Sequence, residues 1–180
     1  MLAVRLSRTM DDRVKVDDFL DRASVISETL DKDEAFKILT KEIDSCDDRL
    51  INEYITALNY IRHEKVLDWI EKNIQRTNNI GLNWGHLAAS SQFNWTRADK
   101  WLTLGRPLSL VSLDALIFCT TVDERLNQSP WMRKIKPRLT DNPKPDIVAS
   151  RLSDFLKTDN VHRTRVTVDK IVANLFDIRA

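Results

Sequence analysis

The stretch VKVDDFLDRASVISETL, residues 14–30, decides the fold class. Its apolar residues Val16, Phe19, Leu20, Ala23, Ile26 and Leu30 recur at intervals of three and four. That spacing lines one face of an α-helix, since 3.6 residues complete a turn. The same period continues beyond it. Asp31 and Asp33 are suited to cap a second helix with Ala35, Phe36, Ile38, Leu39 and Ile43 as its buried stripe. The acids Asp44, Asp47 and Asp48 mark a break and place negative charge at the start of a third helix, where the macrodipole favours it. That helix carries Leu50, Ile51, Tyr54, Ile55, Leu58 and Ile61.

Further along, Val66, Leu67, Trp69, Ile70 and Ile74 predict another helix, ended by the polar turn Thr77-Asn78-Asn79. Leu82, Trp84, Leu87, Ala88 and Phe93 form the next apolar set, which Gly81 and Gly85 weaken as a helix. Thr96 and Asp99 have the spacing of a capping box for a short helix through Trp101 and Leu104. Gly105 and Pro107 end that helix, and Leu110, Leu113, Leu116 and Ile117 lie on the following one. Two last helices are expected around Ile147–Leu156 and Arg163–Ile178. Only 3 residues of the 180 are Gly and 5 are Pro, too few for the turns of an all-β fold. Four of those prolines fall within residues 123–146, which reads as an irregular, basic insertion with a short helix near Trp131. The expectation is one all-helical domain over residues 1–180, with residues 1–12 as a flexible arm.

The helices echo one another. Three segments share an apolar helix ending in an aromatic or apolar pair, a polar turn and a second helix: Trp69-Ile70, Trp101-Leu102 and Phe155-Leu156. The first two are 32 residues apart and the last two 54, the excess being about the size of the insertion. In the second helices, Ser112-Leu113-Asp114-Ala115-Leu116 is matched by Thr167-Val168-Asp169-Lys170-Ile171, 55 residues on. Such hairpins cannot bury their apolar stripes alone, so stacking would supply a continuous core. The stretch Arg106 to Leu116, RPLSLVSLDAL, resembles HEAT-type helical repeats, with Pro at the inter-helix turn and an apolar run behind it. The resemblance covers about Glu34 to Ile178. It implies an all-α fold: a short right-handed α-α superhelix of stacked helical hairpins. An irregular helical bundle is the alternative.

Composition excludes several classes. A hydrophobic fraction of 42% and a charged fraction of 31% fit a globular chain rather than a disordered one. No run approaches the roughly 20 apolar residues of a membrane helix, and the N-terminus lacks the apolar core of a secretion signal. Cys46 and Cys119 sit in helical patterns and read as buried free thiols, which points to a cytoplasmic setting. No Gly-rich phosphate loop, Gly-x-Ser-x-Gly or His-Glu-x-x-His is present. His63, His86 and His162 are far apart, so no metal site is expected, nor any cofactor.

The net charge of +1 is unevenly spread. Residues 1–90 hold 13 Lys/Arg against 17 Asp/Glu, and residues 91–180 hold 15 against 10. A basic face toward the C-terminal half would suit an acidic partner. Its best candidate is PWMRKIKPRL, residues 130–139, where Arg133, Lys134, Lys136 and Arg138 accompany Trp131 without an acid. That set can neutralise phosphates and stack on a base, or grip an acidic protein. Trp84 and His86 stand as candidates for an aromatic groove, with core packing as the plainer role for the tryptophan. The last helix adds Arg163 and Arg165, and Ser112 is a second-helix candidate. The expected function is a non-catalytic interaction module, a small α-solenoid scaffold or adaptor with a protein or peptide in its groove. Nucleic-acid binding is the alternative, since some HEAT-like proteins resemble alkylpurine DNA glycosylases. An enzyme of unrecognised type is the third reading.

Overall fold

Two amphipathic signals seen in the sequence become helices with identifiable side-chain caps in a computed structural model, which describes residues 9–77, 80–121 and 137–176. Helix α1 spans Met10–Thr29. Thr9 accepts a hydrogen bond from the Asp12 amide at 3.1 Å, and Asp12 accepts one from the Thr9 amide, closing a capping box. The helix therefore starts inside the stretch read as a flexible arm. Helix α2, Lys32–Asp44, is capped by Asp31, whose carboxylate accepts from the amides of Asp33 and Glu34. Helix α3 is only Ile51–Tyr54, flanked by 3-10 turns at Asp48–Leu50 and Ile55–Tyr60. The third helix of the sequence is thus one tightened, irregular segment.

Next come α4 (Lys65–Asn73, followed by a 3-10 turn to Arg76), α5 (Leu82–Ser90), α6 (Trp95–Leu104) and α7 (Leu108–Thr120). After the insertion follow α8 (Pro145–Leu156) and α9 (His162–Leu175). Among the described residues there is no strand, so the chain is all-α. The cap of α6 is not the expected Thr96–Asp99 box. Asn94 accepts from the Arg97 amide at 2.7 Å, and Asp141 from within the insertion accepts from the amides of Trp95 and Thr96. Asp99 instead pairs with Arg151. Pro145 occupies the first turn of α8, where its missing N–H goes unneeded.

Helices two places apart in sequence are joined, by packing in one row and chiefly by side-chain bonds in the other. One row runs through the α3 segment, α5, α7 and α9, with α5 against α7 as its most extensive contact. The other row runs through α2, α4, α6 and α8 and is joined by polar bonds. The Lys65 ammonium lies 2.5 Å from the Asp33 carboxylate, and the Trp69 indole N–H donates to Asp44 at 3.0 Å. Glu71 on α4 accepts from Arg97, Lys100 and the Trp101 indole on α6, and Arg151 on α8 donates to Asp99 on α6. Between the rows lies one core that includes Phe19, Leu39, Ile55, Leu58, Trp84, Phe93, Trp101 and Leu116. Helix α1 closes the N-terminal end over the 3-10 turn at residues 55–60.

Candidate functional site: a buried carboxylate on the second helices

The helix α7 sequence LSLVSLDALIFCT holds one charged residue, Asp114. The helix needs apolar and small residues nearly all round, because α5, α6 and α9 surround it. Ser112 serves that packing. It is fully buried and donates to the Ala98 carbonyl of α6 at 3.0 Å, so it has no surface to offer a partner. Asp114 fits less easily. It is 6% exposed, and among the described residues its Oδ2 has no hydrogen-bond partner. Native proteins satisfy nearly all such atoms, so an exception needs a reason.

Neighbouring helices fix where this carboxylate sits. Gly85 of α5 crosses directly over it. A β-carbon at Gly85 would lie 3.0 Å from the Asp114 backbone carbon and 3.1 Å from the Ala115 nitrogen, and closer still to Asp114 Cβ. The glycine that weakens α5 in the sequence is what allows this approach. One turn further along α7, Phe118 meets the His86 ring edge-on, with centroids 5.2 Å apart. From α9, the charge of Arg163 acts on Asp114, although among the described residues Asp114 has no ion pair. Burial pushes the Asp114 carboxyl above its usual value, and Arg163 pulls it partly back. Burial also lowers the His86 imidazole, which favours its neutral form. The seam thus holds a carboxylate that takes a proton more readily than usual, a neutral imidazole, an aromatic ring and a cation.

The residues singled out in the sequence have separate fates. Arg163 acts on Asp114 through its charge, and His86 packs on Phe118 one turn along α7. Arg165 lies on the same helix as Arg163, exposed, with its guanidinium on the Asn160 side chain at 2.8 and 3.1 Å. Trp84 is in the core with no exposed surface; its ring stacks on Trp69 at 6.0 Å and its N–H donates to Asn52 at 2.7 Å. It cannot line a groove. Arg138 is exposed and lines a separate open groove of about 440 Å³ with Lys144, Asn142 and Cys119. Burial lifts that thiol to about 12, so it is no nucleophile. Trp131, Arg133, Lys134 and Lys136 lie outside the described residues.

Asp114 was missed as a site residue, though a signal was there: it is the lone charge in an otherwise uncharged run from Leu108 to Thr121. Among the described residues no group of three His, Cys, Asp or Glu is placed to hold a metal, and no helix is long and apolar enough to cross a membrane. Comparison of the chain with protein-family models, with curated proteins and with solved structures gave no match.

Proposed function

We propose that the chain is a short α-solenoid of HEAT-like hairpins serving as a non-catalytic interaction module. A segment of a partner protein lies across the helices α5, α7 and α9. The observation behind this reading is the order of contact: α3, α5, α7 and α9 pack in succession, and side-chain bonds link α2, α4, α6 and α8 in succession. Stacked hairpins present extended surface of the kind that helical repeats use for binding. The row of α5, α7 and α9 is the better candidate, because its last helix exposes Arg163 and Arg165.

A displayed library of short peptides, panned against the whole protein, tests this. Selected peptides should share a charge pattern, and the double substitution Arg163→Glu/Arg165→Glu should weaken them at least tenfold. A library that yields no binder, or binders indifferent to that substitution, counts against the reading.

Nucleic acid is the second reading, favoured by one observation. His162, Arg163, Arg165 and Lys170 are all exposed on α9, and the described part of the insertion adds Arg138 and Lys144. Phosphate contacts would release counterions, so affinity for short DNA or RNA would fall steeply between about 50 and 200 mM salt. A peptide held mainly by apolar contact would show little such dependence.

A further inference from the structure

We infer that the groove between the C-terminal ends of α7 and α9 receives the phosphoryl group of a phosphorylated side chain in the partner segment, an inference that rests on the peptide-binding reading above. The groove measures about 440 Å³, within the roughly 300–1,000 Å³ of ordinary ligand sites. Among the described residues no carboxylate lines it, and its two charged residues, Arg138 and Lys144, are both cations. Both are exposed, and among the described residues neither side chain has an ion pair or a hydrogen bond. The helix ends beside them carry carbonyls that a Lys or Arg commonly engages, yet these two donate to none of them. Asn142 adds a carboxamide from the same loop, in the left-handed conformation at φ 43° that Asn tolerates. A guanidinium fork, an ammonium and an amide complement a group with three acceptor oxygens. A phosphorylated side chain is such a group and carries about two negative charges at neutral pH.

The loop that carries these donors is pinned to the helices. The Thr140 amide donates to the Phe93 carbonyl at 3.1 Å, and both oxygens of Asp141 accept from amides of α6. Asp141 is thereby engaged and does not neutralise Arg138 or Lys144. Pro143 and Pro145 flank Lys144 and stiffen the backbone on either side of it. Lys144 also stands at the start of α8, whose first turn has no side-chain cap, so the helix end favours negative charge at the same place. Asp146 lies in that turn but does not line the groove. The rest of the wall is apolar or neutral, with Leu139, Leu175 and Cys119, whose thiol stays protonated because burial lifts it to about 12. Such a wall suits the carbon atoms on either side of a phosphorylated residue. Among the described residues no aromatic ring lines the groove, so a nucleic-acid base would have nothing to stack on, which favours a peptide.

The probe is N-acetyl-phosphoserine methylamide, titrated into the whole protein while amide NMR shifts are followed at Leu139, Asn142 and Leu175. The serine compound, inorganic phosphate and a short oligothymidylate are the comparisons. Saturable shifts with the phosphoserine compound, weaker with inorganic phosphate and absent with serine, are the expected result. Arg138→Gln and Lys144→Gln should each weaken binding by about tenfold, since each removes charge-assisted bonds. Arg163→Gln removes a cation of α9 outside the groove and should leave binding unchanged. No shift with the phosphoserine compound, or a loss in Arg163→Gln equal to that in the groove variants, overturns the inference. Inorganic phosphate bound as tightly as phosphoserine would make this a site for the free ion and overturn the peptide source. Tighter binding of the oligothymidylate, centred on the same amides, would overturn it in favour of nucleic acid. Library peptides that depend on Arg163 and Arg165 while the phosphoserine compound finds no site would sink this inference and leave the scaffold reading standing. Phosphoserine binding at the groove without any selectable peptide would do the reverse.

Discussion

Glu71, on the row α2–α4–α6–α8, and Asp114, on the row α3–α5–α7–α9, are both carboxylates withdrawn from water, and their surroundings treat them in opposite ways. Burial alone pushes Glu71 up, but bonds from Lys100, the Trp101 indole and Arg97 outweigh it and hold its carboxyl down to about 2. Asp114 lacks comparable donors, and burial pushes it up. The first row therefore uses charge to fasten successive hairpins, from Asp33–Lys65 through Glu71–Arg97 to Asp99–Arg151. The second row is joined mainly by close packing and by neutral groups such as Asn52 on Trp84 and Asn59 on Ser90. A charge within the second row is out of keeping with how that row is held together, which is why Asp114 stands out.

The contrast can be broken most forcefully at Trp101. Its ring is fully buried, tilted against Phe93 at 5.4 Å, and its N–H donates to Glu71 at 2.7 Å. Trp101→Ala removes packing and a charge-assisted bond together and should cost about 4 kcal/mol in urea unfolding. Glu71→Gln keeps the shape and removes the charge. It should cost about 2 kcal/mol at pH 7, since three donors lose an ionised acceptor. The pH dependence sharpens that test. Glu71 is held below its ordinary 4.5, so its contribution is complete above 4.5 and is lost as pH falls toward about 2. The wild-type advantage over Glu71→Gln should shrink across that window.

Gly85→Ala probes the other row. Alanine is the better helix former, worth about 1 kcal/mol in an exposed helix. Here its methyl would meet the Asp114 backbone, so the helices must separate. A net loss of about 1–2 kcal/mol is expected, and a gain would show that α5 and α7 have room to part.

Much of this was legible in the sequence, for a physical reason: period 3.6 in apolar residues reports burial directly. The stripes at Val16–Leu30, Ala35–Ile43 and Val66–Ile74 each became a helix. Boundaries set by side-chain partners far along the chain were not legible. Asp141 caps α6 from 46 residues beyond Trp95, and no local pattern signals that. The echo of Asp114 in Asp169 is instructive. The two residues occupy matching places in their segments, yet Asp169 is exposed and borders a shallow groove with Ala149, Val168 and Val172. Helix α7 is flanked by α5 on one side and α9 on the other, whereas among the described residues α9 has a row neighbour on one side only. Equivalent sequence positions thus differ in burial through rank in the row, which the repeat alone does not reveal. The surroundings of Asp114 were illegible for the same reason: Gly85 and Arg163 are far from it along the chain and act on it only because α5 and α9 pack on α7.

The smallest expected effect has the opposite sign. Asp114 is raised above its ordinary 3.8 in the fold, so it favours the folded state below that value and its penalty grows as pH rises through the raised value. Asp114→Asn should therefore be nearly neutral at pH 3 and more stable than wild type by about 1 kcal/mol at pH 7. The charged group that bears on this is Arg163 from α9, which softens the penalty. An Arg163→Ala background removes the softening and should widen the gap at pH 7. Urea unfolding of the four proteins at pH 3, 5 and 7 measures all of this. A variant less stable than wild type at pH 7 would mean that the second row does fasten itself with charge, and the distinction between the rows would fall with it.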